Sequence, residues 1–249
     1  MELIADLHTH TVLSGHAFST IRENVQAAGK SGLRMMANTD HGPAMPGASQ
    51  AVYHFLNQFI LPEEIGGVRI LRGAEVNILG DQGWLDVSPE ILARLDVVIA
   101  SLHDVTIEQG DAKTNTDRMI GAIEGGMVDI IGHPGNPYFP LEAERLVQAC
   151  KRYEVALEVN NTSMKGNIRP GSRVNMVDIL SLCKAEQVMV SVGSDAHWMD
   201  QVGRLEAVST LLDESGFPES LVVGAEVNQL RDFLAMRRER RRTAIKLAK

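Results

Sequence analysis

Seven short apolar runs alternate along this chain with longer stretches that carry helix caps, and that alternation most constrains the fold. The runs cover residues 3–7, 34–38, 69–75, 97–100, 128–131, 156–159 and 188–192. Each has strand length, and most are rich in Val and Ile, whose branched side chains suit a pleated, packed surface. Between them, Ser19 or Thr20 can cap a helix that Gly32 can end, and Ser88 precedes a helix opening on Pro89. Both patterns follow the ordinary chemistry of helix termini. Further amphipathic stretches cover residues 50–59, 116–124, 141–152 and 175–184. Parallel strands need crossover connections, so strand–helix alternation predicts an α/β fold with a parallel sheet. Periodicity leaves open whether seven strands close as a barrel or stay open as a doubly wound sheet. The 249 residues contain no long linker, low-complexity segment or internal repeat, so one domain over residues 1–249 is expected. Its strand–helix part extends to about residue 215, and residues 217–249 read as a helical extension ending in a basic tail.

Function is marked by where the histidines stand. Of eight, seven lie at or just after the end of a predicted strand: His8, His10, His16, His41, His103, His133 and His197. Only His54 falls in a predicted helix, and it is left out of the site. In parallel β/α folds, ligands and catalytic residues gather at the carboxyl ends of the strands. Local spacing agrees, because His8 and His10 share one face of a strand and can chelate one cation. Asp195 and His197 repeat that geometry after the last predicted strand. Glu75 ends the third predicted strand with a carboxylate able to bridge two cations. His41 and His133 each adjoin glycine, where a chain can turn tightly off a strand. Imidazole mixed with carboxylate suits Zn, Mn or Fe better than Ca or Mg. A lone surface or hydrogen-bonded histidine is the usual case, but it does not explain seven that share a position.

Composition removes other classes. No apolar run is long enough to span a bilayer, and the first residues lack the basic-then-apolar order of a signal peptide, so a cytoplasmic protein is expected. Cys150 and Cys183 lie in predicted amphipathic stretches without ligand spacing and are expected to be buried thiols. Net charge is −8, unevenly spread. Arg237, Arg238, Arg240, Arg241, Arg242, Lys246 and Lys249, against Glu239, make the tail +6 and leave −14 for the rest. So acidic a body argues against nucleic acid as partner. The tail is expected to be a solvated, partly frayed terminal helix.

The segments Asp6-Leu7-His8-Thr9-His10-Thr11, Thr39-Asp40-His41-Gly42, Gly73-Ala74-Glu75, Ser101-Leu102-His103, Gly132-His133-Pro134 and Gly193-Ser194-Asp195-Ala196-His197, in that order, resemble the PHP (polymerase and histidinol phosphatase) family. Within it they are most similar to the YcdX-like phosphatase branch. The resemblance runs from Met1 to about Leu212. It implies a distorted (β/α)7 barrel with three divalent metals, Zn first, with Mn or Fe as alternatives. Carried over by motif, His8, His10, Glu75 and Asp195 would hold one metal. Glu75, His103 and His133 would hold a second, and His16, His41 and His197 a third. Glu75, Asp195 and His197 would surround the metal-bound water as the catalytic group. The branch also implies a homo-oligomer, a trimer.

The expected chemistry is hydrolysis of small phosphate monoesters by a metal-activated hydroxide. Lys165, Arg169 and Arg173 follow the Asn160-Asn161-Thr162-Ser163 segment and are candidates to hold the phosphate. Asp6 and Asp40 could each accept a hydrogen bond from a neighbouring imidazole. A nucleotide or nucleic-acid phosphodiesterase or 3′-exonuclease would use the same metals on another substrate. An amidohydrolase also uses His-x-His and a late Asp, but no Lys ends a predicted strand here. A non-catalytic, metal-stapled module is disfavoured because structural zinc is usually closed by four ligands and rich in Cys.

Overall fold

The fold was obtained as a computed structural model, which describes residues 1–247. The strands are β1 (Ala5–Asp6), β2 (Met35–Asn38), β3 (Glu64–Ile65), β4 (Val68–Leu79), β5 (Trp84–Leu85), β6 (Val97–Ser101), β7 (Ile130–Ile131), β8 (Ala156–Asn160), β9 (Val190–Gly193) and β10 (Val222–Val223). The helices are α1 (Ile21–Lys30), α2 (Tyr53–Asn57), α3 (Pro89–Leu92), α4 (Ala112–Glu124), α5 (Ala143–Tyr153), α6 (Asn161–Met164), α7 (Ser172–Glu186), α8 (Glu206–Glu214) and α9 (Val227–Leu247). All seven predicted strands are present. They lie parallel in the order β1-β2-β4-β6-β7-β8-β9, with β10 beyond β9. The sheet curls until its ends meet: Leu7 N donates to Val192 O at 3.1 Å and Ile4 N to Gly224 O at 2.8 Å. This is a distorted parallel barrel, with helices packed outside.

Side-chain alternation explains why the predicted strands are apolar without interruption. All five residues of β6 are buried. Val97 and Ile99 join Leu7, Met35, Leu71 and Ile130 inside the barrel, while Val98 and Ala100 face the helical layer with Met119, Ile123 and Leu146. A strand covered on both faces has no polar side to show. α1 begins where expected, its Thr20 cap and Glu23 bonding each other's backbone in a capping box.

Three expectations change. β4 does not end at Glu75 but continues to Leu79, because Ile78 and Leu79 pair with the short β5 in a hairpin. Residues 217–249 are not helix throughout, since β10 precedes α9; two apolar residues are too short a run to signal a strand. The tail is solvated on one face only: Arg240, Arg242 and Lys246 are exposed, but the other face is packed. Leu230, Phe233 and Leu234 of α9 pack into the barrel cluster, and Arg237 and Arg241 are 2% and 0% exposed. Lys249, the last basic residue of that tail, lies outside the described residues. Among the described residues, no helix is long and apolar enough to cross a membrane.

Candidate metal centre

The nine predicted ligands come from six parts of the barrel and converge on one rim around Glu75. Its Oε2 lies 3.1 Å from His8 Nε2, 3.4 Å from His10 Nε2 and 2.9 Å from His41 Nδ1. Its Oε1 lies 3.3 Å from His103 Nε2 and 3.1 Å from His133 Nε2. Asp195 Oδ1 stands 3.2 Å from His10 Nε2 and 3.7 Å from His8 Nε2. Further out, the Nε2 atoms of His16 and His197 are 2.9 Å apart. The His197 and His10 ring centres are 4.4 Å apart.

These groups fit cations better than they fit one another. His8 Nε2, His10 Nε2, His41 Nδ1, His103 Nε2 and Glu75 Oε2 are buried yet make no hydrogen bond. Their separations are those of hydrogen bonds, but their directions are not. Buried polar atoms are almost always paired, so five orphans in one cluster call for a shared partner. Three overlapping groups have all their donor atoms within 4.8 Å of one another: His8 with His10 and Glu75; His41 with Glu75 and His103; His10 with His41 and His197. The chain can therefore hold metal ions here, in an imidazole–carboxylate set suited to Zn, Mn or Fe.

The electrostatics of the metal-free chain show the same strain. Burial opposes the charge on Glu75, but His8, His41 and His103 outweigh it and hold the carboxyl well below the ordinary range. Burial likewise opposes the charge on Asp195, and His8 and Arg169 overcome it. Burial would discharge His8, yet Glu158, Glu75 and Asp195 keep it protonated well above the usual imidazole range. Burial pushes His10 well below that range, helped by His41 and His197. His103 is lowered by burial, and His16 by burial and His197.

Sequence reasoning missed the groups that orient the rings. His8 Nδ1 meets Glu158 Oε1 at 2.7 Å, His103 Nδ1 meets Asn77 Oδ1 at 2.8 Å and His10 Nδ1 meets Ser14 Oγ at 3.0 Å. Each bond turns Nε2 toward the site, where it can offer its lone pair to a cation, in His8 after loss of a proton. Glu158 also accepts from His133 N at 2.8 Å, so one buried carboxylate serves two ligand positions. Its sole signal was a carboxylate inside the apolar run Ala156-Leu157-Glu158-Val159. The expected role of Asp6 is corrected: it accepts backbone N–H bonds from His8, Ser194 and Gly203, not an imidazole bond. The Asp40 carboxylate bonds no imidazole; it acts through Ser14, whose hydroxyl donates to it at 2.7 Å.

Of the three phosphate candidates, Arg169 alone faces the site. Its Nη1 is 3.0 Å from both Ser163 Oγ and Asp195 Oδ2, and it lines a cavity of about 490 Å³ with His16, His41, His103 and His197. Arg173, on α7, pairs with Glu214 of α8 instead. Lys165 is exposed and lines neither cavity beside the ligands. Three basic residues at near-helical spacing diverge in direction, which spacing alone does not reveal. His54 lies outside the ligand cluster, bonded to Ala51 O. Cys150 and Cys183 are buried, and burial pushes the Cys183 thiol up to about 12.

The backbone is strained where it presents ligands. His133 and Asp195 have φ of 31° and 57°. A non-glycine residue there costs about 1–3 kcal/mol and persists only when its surroundings impose it. The glycines beside the histidines act differently from the tight turns expected. Gly42 does not take a positive φ; a Cβ there would meet the Asp86 carboxylate at 2.3 Å. At Gly132 a Cβ would strike Ser101 Oγ at 2.1 Å, the hydroxyl that donates to Glu75.

Comparison with known proteins places this arrangement among relatives. The PHP domain family model matches residues 6–162. A probable phosphatase of Thermoanaerobacter sp. (strain X514) is 46% identical over 235 residues, covering 94% of this chain and 95% of the relative. A probable phosphatase of Caldanaerobacter subterraneus subsp. tengcongensis is 44% identical over 241 residues, covering 96% and 94%. The crystal structure of histidinol phosphate phosphatase from Lactococcus lactis, complexed with zinc, L-histidinol and phosphate, superposes with a TM-score of 0.62 at 19% identity. It covers 86% of this chain and 94% of that one. At that identity the likeness is one of fold.

Proposed function

The chain belongs to the PHP domain family, and on that premise we propose that its metal centre hydrolyses phosphate monoesters. The carrying observation is the double-sided Glu75, whose two oxygens face different imidazole groups. We assign His8, His10, Glu75 and Asp195 to one divalent cation, Glu75, His103 and His133 to a second, and His16, His41 and His197 to a third. Zinc is the first expectation, with manganese or iron as alternatives. Bound there, the cations would supply an activated water nucleophile and neutralise charge on the phosphoryl group. Arg169 supports this reading from the cavity wall, where its guanidinium can turn a second N–H toward a phosphate oxygen while Asp195 holds the first. Glu158, Asn77 and Ser14 fix the rings so that no reorientation is needed when substrate arrives. No serine or cysteine nucleophile with an adjacent base is part of this scheme, so water attacks directly.

A net charge of −8 disfavours a polynucleotide, and the burial of Arg237 and Arg241 removes two of the tail's cations from the surface, which supports a small substrate. Assembly into a homo-oligomer, as the family resemblance implies, belongs to the same proposal and is read by light scattering. The decisive test is metal analysis of protein purified without added salts, followed by p-nitrophenyl phosphate hydrolysis before and after chelation. Stoichiometric transition metal and chelator-sensitive activity are expected. Metal-free protein with full activity overturns the proposal.

A further inference from the structure

The ligand cavity borders a second chamber of about 580 Å³, and the two share His103, Asp104, Ile168 and Arg169. The second chamber is bounded beyond them by Gln109, Asn136 and Tyr138. Of these lining residues, only His103 belongs to the ligand set, so the chamber lies beside the metals. Its size falls within the roughly 300–1,000 Å³ of small-molecule sites. With phosphate held at the cations and Arg169, a group esterified to it has this chamber as neighbouring space.

Its walls specify chemistry. Among the described residues, the Asp104 carboxylate, the Gln109 amide and Asn136 Nδ2 make no hydrogen bond within the chain; Asn136 Oδ1 is used, accepting from Tyr138 N at 3.1 Å. Donors and acceptors are thus both on offer. Tyr138 is 47% exposed and stands edge-on to buried Phe139, with ring centres 5.0 Å apart. One ring of the pair is anchored and the other presents a face. Ile168, 68% exposed, adds apolar surface at the junction of the chambers. Arg169, the one guanidinium of the lining, is paired with Asp195, so Asp104 is the unpaired charge that faces a second anion.

We propose that this second chamber binds the alcohol part of the substrate, and that it selects an uncharged ring carrying hydrogen-bonding groups. The inference rests on the phosphatase reading. Tyr138 would lie against the ring, Gln109 and Asn136 would bond its polar substituents, and Asp104 would exclude bisphosphates.

The test compares metal-loaded enzyme with ethyl phosphate, glucose 6-phosphate, adenosine 5′-monophosphate and fructose 1,6-bisphosphate. Wild type should favour the sugar or nucleotide monoester over ethyl phosphate by at least tenfold in kcat/KM, and disfavour the bisphosphate. The sugar and nucleotide arms separate a polyhydroxylated ring from a heteroaromatic one. Tyr138→Ala and Gln109→Ala should each shrink the preference about tenfold, and Asp104→Asn should relieve discrimination against the bisphosphate. Saturation-transfer NMR with glucose and adenosine gives a readout independent of turnover: one of them should bind wild type and lose its signal in Tyr138→Ala. If ethyl phosphate is hydrolysed but the preference is absent, or is unchanged in all three variants, the chamber assignment is wrong while the phosphatase reading stands. If wild type hydrolyses p-nitrophenyl phosphate but none of the four, the chamber assignment alone fails; if it hydrolyses none of the five, both fail.

Discussion

The two ends of this barrel bury charge in opposite ways. At the carboxyl ends of the strands, seven imidazoles and two carboxylates cluster beside a cavity that His16, His41, His103, Asp195 and His197 line, and five atoms of the cluster have no bonded partner. At the other end, Asp129 before β7 receives Arg237 Nε at 3.2 Å and also the guanidinium of Arg241. Those arginines donate further to Val128 O and Leu95 O, each at 2.6 Å. Arg238 completes the lower end by pairing with Asp96 before β6. Buried charge must be compensated. Below, α9 brings compensating groups on the chain itself, with the Nε atoms of Arg238 and Arg241 left unbonded, and the helix seals the barrel. Above, the donors are arranged for groups that arrive from solvent. A closed ion pair leaves no group for a ligand, whereas an open donor set can bind and catalyse.

Breaking each end should therefore damage different properties. Glu75→Ala is expected to lower kcat by at least about 10³-fold, the scale of losing a principal electrostatic group. In chelated protein its denaturant midpoint should fall by less than that of Asp129→Ala, because His8 can release its proton when a counter-charge is removed, whereas the arginines cannot. Equal losses of stability at both ends would erase the contrast. Asp129→Ala leaves two buried guanidiniums without their carboxylate and should destabilise by about 3–5 kcal/mol. Urea unfolding measures this, and metal content per folded molecule should not change.

Smaller effects sharpen the upper end. Glu158→Gln places an amide N–H against either His8 Nδ1–H or His133 N–H, and should weaken metal affinity about 10–100-fold in chelator competition. Unaltered affinity would mean that Glu158 merely fills space. The smallest effect is a proton count. His8 is raised, so in chelated protein near neutral pH it carries a proton that an entering cation must displace; His10, His103 and His16 are lowered and need release none. Affinity of the His8 site should fall as pH falls below the raised His8 value, by about tenfold per unit for one proton. Calorimetry in buffers of different ionisation enthalpy should detect the released proton, and a buffer-independent heat would contradict it.

Much of this protein was legible residue by residue. The strand runs survive because each element must bury both faces, which writes an uninterrupted Val- and Ile-rich signature. The two-residue β10 and the β4–β5 hairpin left no such mark. The ligand motifs were legible because chelation depends on residue type and on i, i+2 spacing next to a strand end, both local properties.

What the chain by itself determined is the parallel β/α class and the set of donor residues gathered on one rim. Only the tertiary structure decided which distant groups those residues meet. It chose Arg169 over Arg173 and Lys165, set Glu158 against His8 across 150 residues of sequence, and buried Arg237 and Arg241 that composition alone would leave in solvent. The physical reason is that a side chain's chemistry is its own, while its partner is fixed by topology, and a low-dielectric interior makes that partner decide whether a charge is tolerated, neutralised or put to use.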